Sequence, residues 1–183
     1  MSVPNSAAGE LVRLVKPRAL PAEALTVEAN EAERAALAGR LGVTAVHKLV
    51  AEVTFDTKDE AVLANGKLSA TIEQPCAVTQ DDFVYAVDEP LTLRFVPTRP
   101  LPEFAPDEEI ELDSEDLDEI EYEGDAFDLG EAIAQSLALA LDPYREGPGA
   151  DAARKAAGIV SDEELIPSGP LAEALAALKG KGG

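Results

Sequence analysis

Two side chains in this 183-residue chain have the chemistry of a nucleophile or a proton carrier: the only histidine, His47, and the only cysteine, Cys76. No nucleophile lies near His47 in the sequence, and no G-x-S-x-G motif is present. Cys76 has neither a second cysteine at C-x-x-C spacing nor a basic neighbour that would lower its pKa. A single cysteine also excludes an internal disulfide and a multi-cysteine zinc site. We interpret both side chains as structural and predict a non-catalytic protein with no metal and no other cofactor.

Carboxylates are the abundant functional group, because 36 Asp and Glu stand against 15 Lys and Arg and give a formal net charge of -21. Residues 100–144 hold 16 of these acids and no Lys or Arg. The run Asp113–Asp118 looks like a calcium loop, but Leu117 and Asp118 fill positions where an EF-hand needs an oxygen ligand and a glycine. A field of this sign repels phosphate backbones and attracts basic proteins. The charge therefore favours a basic protein as the partner.

The acidic stretch Glu103–Asp125 is the predicted contact for that partner. Repulsion among its acids predicts a loop over about residues 100–127, with at most a short edge strand at Ile110 and Leu112. An acidic run that only keeps the protein in solution is the alternative. We call residues 100–127 the acidic segment. Its ten candidate binding residues are Glu108, Glu109, Glu111, Asp113, Glu115, Asp116, Asp118, Glu119, Glu121 and Glu123.

The elements that must hold this segment begin near the N-terminus. Leu11–Leu20 alternates weakly, and Pro17 within it and Pro21 directly after it restrict it to an edge strand or an extended arm. Asn30 and Glu33 form a capping-box pattern that predicts a helix over Glu31–Leu41. Gly42 suits the position that ends this helix.

A second helix is predicted directly after the acidic segment. Asp128 and Glu131 form a further capping pattern in front of the apolar stretch Leu129–Leu141. Asp142–Pro143 ends the stretch, because the residue before a proline disfavours the helical conformation. The stretch is apolar almost all round, so we expect it to be the central packed helix.

Three long strands are predicted between the two helices. Apolar residues alternate over Val43–Phe55 and Val62–Ile72, with a polar turn at Asp56–Glu60 between them. The only histidine falls on the apolar face of the first strand. A third alternating set covers Phe83–Phe95 and is interrupted at Asp88–Pro90. This pattern is typical of an antiparallel meander with one buried face.

Together these patterns predict an α+β fold in which a curved antiparallel β-sheet, or a partly open barrel, is packed by one central helix. Short flanking helices and the acidic loop complete it. Residues 1–10 are predicted to be a disordered N-terminus, and residues 11–144 a single domain. Residues 145–183 are predicted to be a flexible segment with a short docking helix near 170–179. No signal peptide or membrane-spanning stretch is expected.

Several segments, taken in order, resemble one known family. They are Lys16–Pro21, Glu31–Arg34, Arg40–Val43, Gly66–Leu68, Gln74–Thr79, Glu89–Phe95, Asp128–Glu131, Leu137–Tyr144 and Pro170–Lys179. Their set resembles the YceD family of large ribosomal RNA subunit accumulation proteins, in its proteobacterial form, over roughly residues 12–180. No single motif among them is decisive, and the order of the whole set supports the resemblance.

The resemblance implies a cytoplasmic protein that supports normal levels of the large-subunit 23S rRNA. It implies no catalytic residues. Family genes commonly neighbour the gene of the small basic ribosomal protein L32, which makes L32 a candidate partner. Many relatives carry a C-x-x-C-like pair and further cysteines near the C-terminus, whereas this chain has Thr79 at the second position of the pair. A metal role proposed for cysteine-rich relatives therefore does not transfer.

We predict a non-catalytic factor for large ribosomal subunit biogenesis that binds a basic ribosomal protein or an assembly factor. The alternatives are an RNA-processing enzyme and a direct rRNA-binding protein. The first would need a metal or a general base near bound RNA. The second would need a basic patch, for which Arg13, Lys16 and Arg18 are the candidates. Direct RNA binding and membrane association are not expected.

Overall fold

A computed structural model describes residues 10–98 and 119–159 of the chain. Seven strands, a 3₁₀ turn and three α-helices make up the described part. In chain order they are β1 (Leu14–Val15), the 3₁₀ turn (Pro17–Ala19), β2 (Leu25–Glu28), α1 (Glu31–Leu41), β3 (Ala45–Lys58), β4 (Ala61–Pro75), β5 (Asp82–Pro97), β6 (Glu119–Tyr122), β7 (Phe127–Asp128), α2 (Leu129–Ala140) and α3 (Ala150–Ala156).

The main sheet has five strands in the order β2-β3-β4-β5-β6, and a separate pair is formed by β1 and β7. The predicted α+β class is confirmed. Strands β3 to β5 pair antiparallel, as predicted. Strand β2, which the sequence patterns do not predict, pairs antiparallel with β3, and β6 lies parallel to β5. The sheet is therefore antiparallel over four strands, mixed because of β6, and not closed. Strand β6 lies in the acidic segment, where the many acidic residues leave too few apolar residues for an alternating pattern to predict a strand.

Helix α1 has the predicted bounds and the predicted cap. Asn30 Oδ1 accepts the N–H of Glu33 at 3.0 Å, and Glu33 Oε2 accepts the N–H of Asn30 at 2.8 Å. This reciprocal pair satisfies two N–H groups that have no partner within the helix. Gly42 ends the helix with a φ of 69°, a left-handed conformation that glycine adopts without steric cost.

The pairing of β3 with β4 contains a bulge at His47. Val46 pairs with Ile72 and Lys48 pairs with Thr71, so His47 is an extra residue in β3. Its side chain is exposed and contacts Glu73 Oε2 at 2.9 Å. The expectation that His47 shares the apolar face is wrong, because the bulge shifts the alternation by one residue and buries Val46 instead.

The hairpin between β3 and β4 is tighter than predicted. Asp56–Glu60 was expected to be the turn, but the strands extend to Lys58 and resume at Ala61. Asp59 has a φ of 57°, a conformation that suits a two-residue hairpin loop and that Asp tolerates. Strand β3 therefore extends beyond the apolar core into polar residues, where apolar and polar residues no longer alternate and the sequence does not predict a strand.

Strand β5 runs through the predicted interruption at Asp88–Pro90 without a break. Pro90 is opposite Lys67 of β4 on one side. On its other side β6 reaches only Arg94–Pro97, so within the described residues this part of β5 is an edge. A proline is tolerated at an edge because its missing N–H is not needed by a further strand.

Gly66 of β4 lies where two strands approach closely. A Cβ atom at this position would stand 1.9 Å from the carbonyl oxygen of Glu52 in β3. The pairing of Gly66 with Val53 is regular, so the glycine serves a close approach and not a bulge.

Helix α2 packs its apolar side on the sheet and supplies much of the core. Leu129, Ile133 and Leu137 are fully buried, and the helix contacts β5, β4 and β1. Its outer face is not packed, since Leu139 there is 89% exposed. Helix α2 ends at Ala140, one residue before the predicted end.

Residues 145–159, which begin the segment predicted to be flexible, contact the body. Arg145 lies over the ring of Tyr85 at 4.1 Å, and Ala150 at the start of α3 is buried. The predicted docking helix near 170–179, the expected strand at Ile110 and Leu112, and residues 1–9 lie outside the described residues.

The burial of α2 makes a testable prediction with an internal control. Leu137→Ala should lower the free energy of unfolding by about 2–5 kcal/mol, because it leaves a cavity under a fully buried side chain. Leu139→Ala, on the exposed face two residues later, should change it by less than about 0.5 kcal/mol. Urea unfolding of both variants measures the difference. Equal effects would mean that the faces of α2 are assigned wrongly.

Candidate functional site

The ten candidate binding residues divide into two groups. The residues from Glu108 to Asp118 lie outside the described residues, and the structure does not bear on them. Glu119, Glu121 and Glu123 are described. The first two are in β6, so residues 119–122 are a strand where the sequence predicted a loop.

Strand β6 attaches the C-terminal end of the acidic segment to β5. The two strands pair from Arg94 opposite Glu119 to Pro97 opposite Tyr122. The N–H of Thr98 donates to the carbonyl oxygen of Tyr122 at 2.9 Å, which extends this pairing. Parallel strands cannot be joined by a tight turn and need a crossover connection. The chain between Pro97 at the end of β5 and Glu119 at the start of β6 makes this connection, and most of it belongs to the acidic segment.

Glu119 has a specific partner in the sheet. Its Oε1 atom lies 2.8 Å from Nε of Arg94, and both side chains are largely covered. The guanidinium of Arg94 thus lies beside the first residue of β6. The ion pair holds the start of β6 against β5 and reduces the local negative charge.

Glu121 faces a recess of about 300 Å³ beside the hairpin that joins β3 and β4. Asp59 and Glu60 of that hairpin also line the recess, together with Lys58. The negative charge of the acidic segment thus continues onto the hairpin tip. Glu123, one residue beyond β6, is exposed.

The cations of the N-terminal arm are engaged with carboxylates. Arg13 contacts Glu33 at 2.7 Å, and Lys16 contacts Asp125 at 2.8 Å. The hydrogen bond from Lys16 holds the pKa of Asp125 below its usual range. Two of the three residues proposed for a basic patch are therefore in ion pairs, one of them with the acidic segment itself.

Cys76 lies in an environment that sequence reasoning missed. Its Sγ atom is within reach of the backbone N–H groups of Val78 at 3.4 Å, Thr79 at 3.5 Å and Gly147 at 3.2 Å. The N–H groups of Thr79 and Gly147 are the main causes that lower the pKa of Cys76 to about 7, against the effect of burial. Two of the three donors, Val78 and Thr79, lie within three residues of Cys76 in the sequence. The third donor, Gly147, is 71 residues away, so no local pattern could indicate it.

No group of three or more His, Cys, Asp or Glu within residues 10–98 and 119–159 is arranged to hold a metal ion. His47 contacts only Glu73 among these candidate ligands, on the outer surface of the sheet. None of the helices in the described part is long and apolar enough to cross a membrane.

A family model described as large ribosomal RNA subunit accumulation protein YceD matches residues 64–178, more than half of the chain. The chain belongs to the YceD family. This confirms the resemblance, although the N-terminal segments that also supported it lie before the match. The name of the family implies a role in the accumulation of large-subunit ribosomal RNA. No curated protein and no solved structure matches the chain.

The environment of Cys76 makes a prediction about pH. The thiol should titrate near pH 7 in the folded protein and near its ordinary value of 9.0 after unfolding in urea. Because the folded state lowers the pKa, the contribution to stability is present above pH 9 and is lost as the pH falls through 7. Ultraviolet absorbance of the thiolate measures both midpoints, since the chain has one cysteine. Equal midpoints would show that the three N–H groups do not favour the thiolate.

Proposed function

We propose that this protein is a non-catalytic cytoplasmic factor of large ribosomal subunit biogenesis that binds a basic ribosomal protein or assembly factor. The acidic segment is the proposed contact, and L32 is a candidate partner through the family. The family supports the pathway, and the charge supports the class of partner.

The observation that carries the proposal is the separation of charge along the chain. Residues 100–144 contain 16 acids and no Lys or Arg, although the rest of the chain contains all 15 bases. Concentrating like charges destabilises a compact state, so a sequence under no other demand would spread them over the surface. A basic partner that neutralises the segment gives a reason for the concentration.

The described part of the segment supports this use. Arg94 compensates Glu119 and Lys16 compensates Asp125, and both acids belong to the C-terminal part of the segment. The candidate residues from Glu108 to Asp118 come before these pairs and have no base in their own sequence. A basic partner would supply the missing counter-charge next to a part of the segment that the body already holds.

The other two functions have weaker support. A direct RNA-binding surface would need free cations, and Arg13 and Lys16 are already paired with carboxylates. An RNA-processing enzyme that uses a metal would need a group of ligands, and the described part of the chain has no group of three or more His, Cys, Asp or Glu arranged to hold one. Direct RNA binding remains as an outcome of the gel-shift experiment below.

Neutralising the acidic segment should abolish partner capture without harming the fold. The variant combines Glu108→Gln, Glu109→Gln, Glu111→Gln, Asp113→Asn, Glu115→Gln and Asp116→Asn. Binding to a basic ribosomal protein should weaken by at least about tenfold, because electrostatic steering and contact are both removed. Large-subunit rRNA should fall in a strain that carries only this variant. Binding of the unaltered protein should also weaken as salt rises, since the Debye length is about 10 Å at 0.1 M.

A matched control removes the same number of negative charges from other exposed positions. These are Glu23→Gln, Glu28→Gln, Glu31→Gln, Asp56→Asn, Asp81→Asn and Glu89→Gln. This control should bind and function normally. If both variants fail equally, only total charge matters. If both support normal rRNA levels, the acidic segment serves solubility alone and the proposed mechanism is wrong.

Purified protein should not shift generic RNA in a gel at physiological salt. Binding to RNA is driven by the release of counterions from phosphates, and this requires cations on the protein. The measurement uses unlabelled RNA as a competitor. A stable complex at submicromolar protein would favour the direct rRNA-binding alternative.

A further inference from the structure

A groove of about 340 Å³ lies where α1, β4 and α2 end next to each other. Its lining is mostly apolar and includes Leu41, Val43 and Leu141, with Ala138 and Pro143 at its rim. Leu41, Val43 and Leu141 are only partly buried, although they pack against the core. We call it the helix-end groove. It is a continuation of the hydrophobic core that the described residues leave uncovered.

The polar atoms of this groove are satisfied within the body. Gln74 is buried, and its Nε2 donates to the carbonyl oxygen of Asp142 at 2.9 Å. Its Oε1 accepts the hydroxyl of Tyr85 at 2.6 Å. These bonds tie the end of α2 to β4 and β5 and give the groove a fixed wall. An apolar occupant would therefore cover the groove without leaving a buried polar group unpaired.

We propose that residues 170–179 of this same chain dock in the helix-end groove as a short amphipathic helix. Leu171, Leu175 and Leu178 repeat at the spacing of one helical face, and Pro170 suits the first turn. A helix of this length is marginal alone, because helices shorter than about 12 residues gain too little in water. The segment needs an apolar surface, and the groove is an apolar surface without a described cover.

The position at which the described chain ends favours this occupant. Gly147 donates to the sulfur of Cys76, which follows the groove residue Pro75 directly. Helix α3 starts three residues after Gly147 and leads to Ile159, the last described residue. The ten residues between Ile159 and Pro170 can span up to about 33 Å when extended. The chain therefore contacts the residue that follows the groove residue Pro75 shortly before its described part ends.

The family match includes the tail and part of the groove. It covers residues 64–178 and so includes Gln74 and Leu141 of the groove together with the three leucines of the tail. The docking segment is therefore part of the family's shared sequence and not an addition specific to this chain. This inference does not depend on the acidic segment or on the identity of its partner.

Hydrogen exchange of the full chain tests the proposal. Backbone amides of residues 170–179 should exchange at least about tenfold more slowly than an unstructured peptide of the same sequence. Leu175→Asp should remove this protection by breaking the apolar face. Ala138→Arg should also remove it by filling the rim of the groove with a charged side chain. The peptide that contains Leu41 and Val43 should exchange faster in both variants.

The matched control is Leu139→Arg, which introduces the same charge one residue later on the outer face of α2. Protection of residues 170–179 should survive this substitution. The proposal is wrong if the tail exchanges without protection in the unaltered protein, or if protection survives Ala138→Arg. It is also wrong if protection disappears in Leu139→Arg, because Leu139 lines a different recess, with Leu91 and Leu93 of β5, and the tail would then lie there. Protection that depends on protein concentration would identify a second copy as the acceptor of the tail.

Discussion

The carboxylate of Asp128 is the contact on which the arrangement of the described body depends. Its Oδ1 atom accepts N–H groups from Arg13 at 2.9 Å, Gly130 at 3.0 Å and Glu131 at 3.2 Å. Two of these donors are in the first turn of α2, where an anion is favourable, and the third belongs to the N-terminal arm. The arm then passes so close that a Cβ atom on Gly130 would meet the carbonyl oxygen of Leu11 at 2.3 Å. One side chain thus starts α2, fixes the arm and ends the acidic segment.

Negative charge is the second constraint, and it explains why β6 lies at the edge of the described sheet. Two like charges interact far more weakly across water than across a protein interior, so their repulsion costs least where both are hydrated. In a central strand, the carboxylates of Glu119 and Glu121 would be flanked on their face of the sheet by the side chains of two neighbouring strands. As the terminal strand among the described residues, β6 has one neighbour, and Arg94 of that neighbour meets its first acid. A charged edge also discourages pairing with other chains.

Local patterns predicted what depends on neighbours in sequence, and missed what depends on distant pairing. The cap of α1, the start of α2 and most alternating positions of β4 are as predicted, because each follows from residues within one or two turns. The bulge at His47 changes the face of a residue through a register shift that no local pattern contains. The sequence patterns missed the parallel strand β6 for a related reason. Its acidic residues have a low propensity for strands, and Arg94, which stabilises it, lies 25 residues earlier in the chain than Glu119. The N–H donor from Gly147 to Cys76 is equally remote.

The same distinction applies to function. A metal site can be recognised from residue types because coordination requires particular atoms at particular distances, and no group of three or more His, Cys, Asp or Glu in the described residues is arranged in this way. Binding through accumulated charge, as we propose for the acidic segment, requires only sign and density, which any order of Asp and Glu supplies. Composition therefore leads to the proposed class of partner, whereas the choice of one partner would come from positioned groups. In the proposed complex the described candidates for this choice are the Arg94–Glu119 pair and the adjoining hairpin tip, because they hold the C-terminal part of the acidic segment and line the recess beside it.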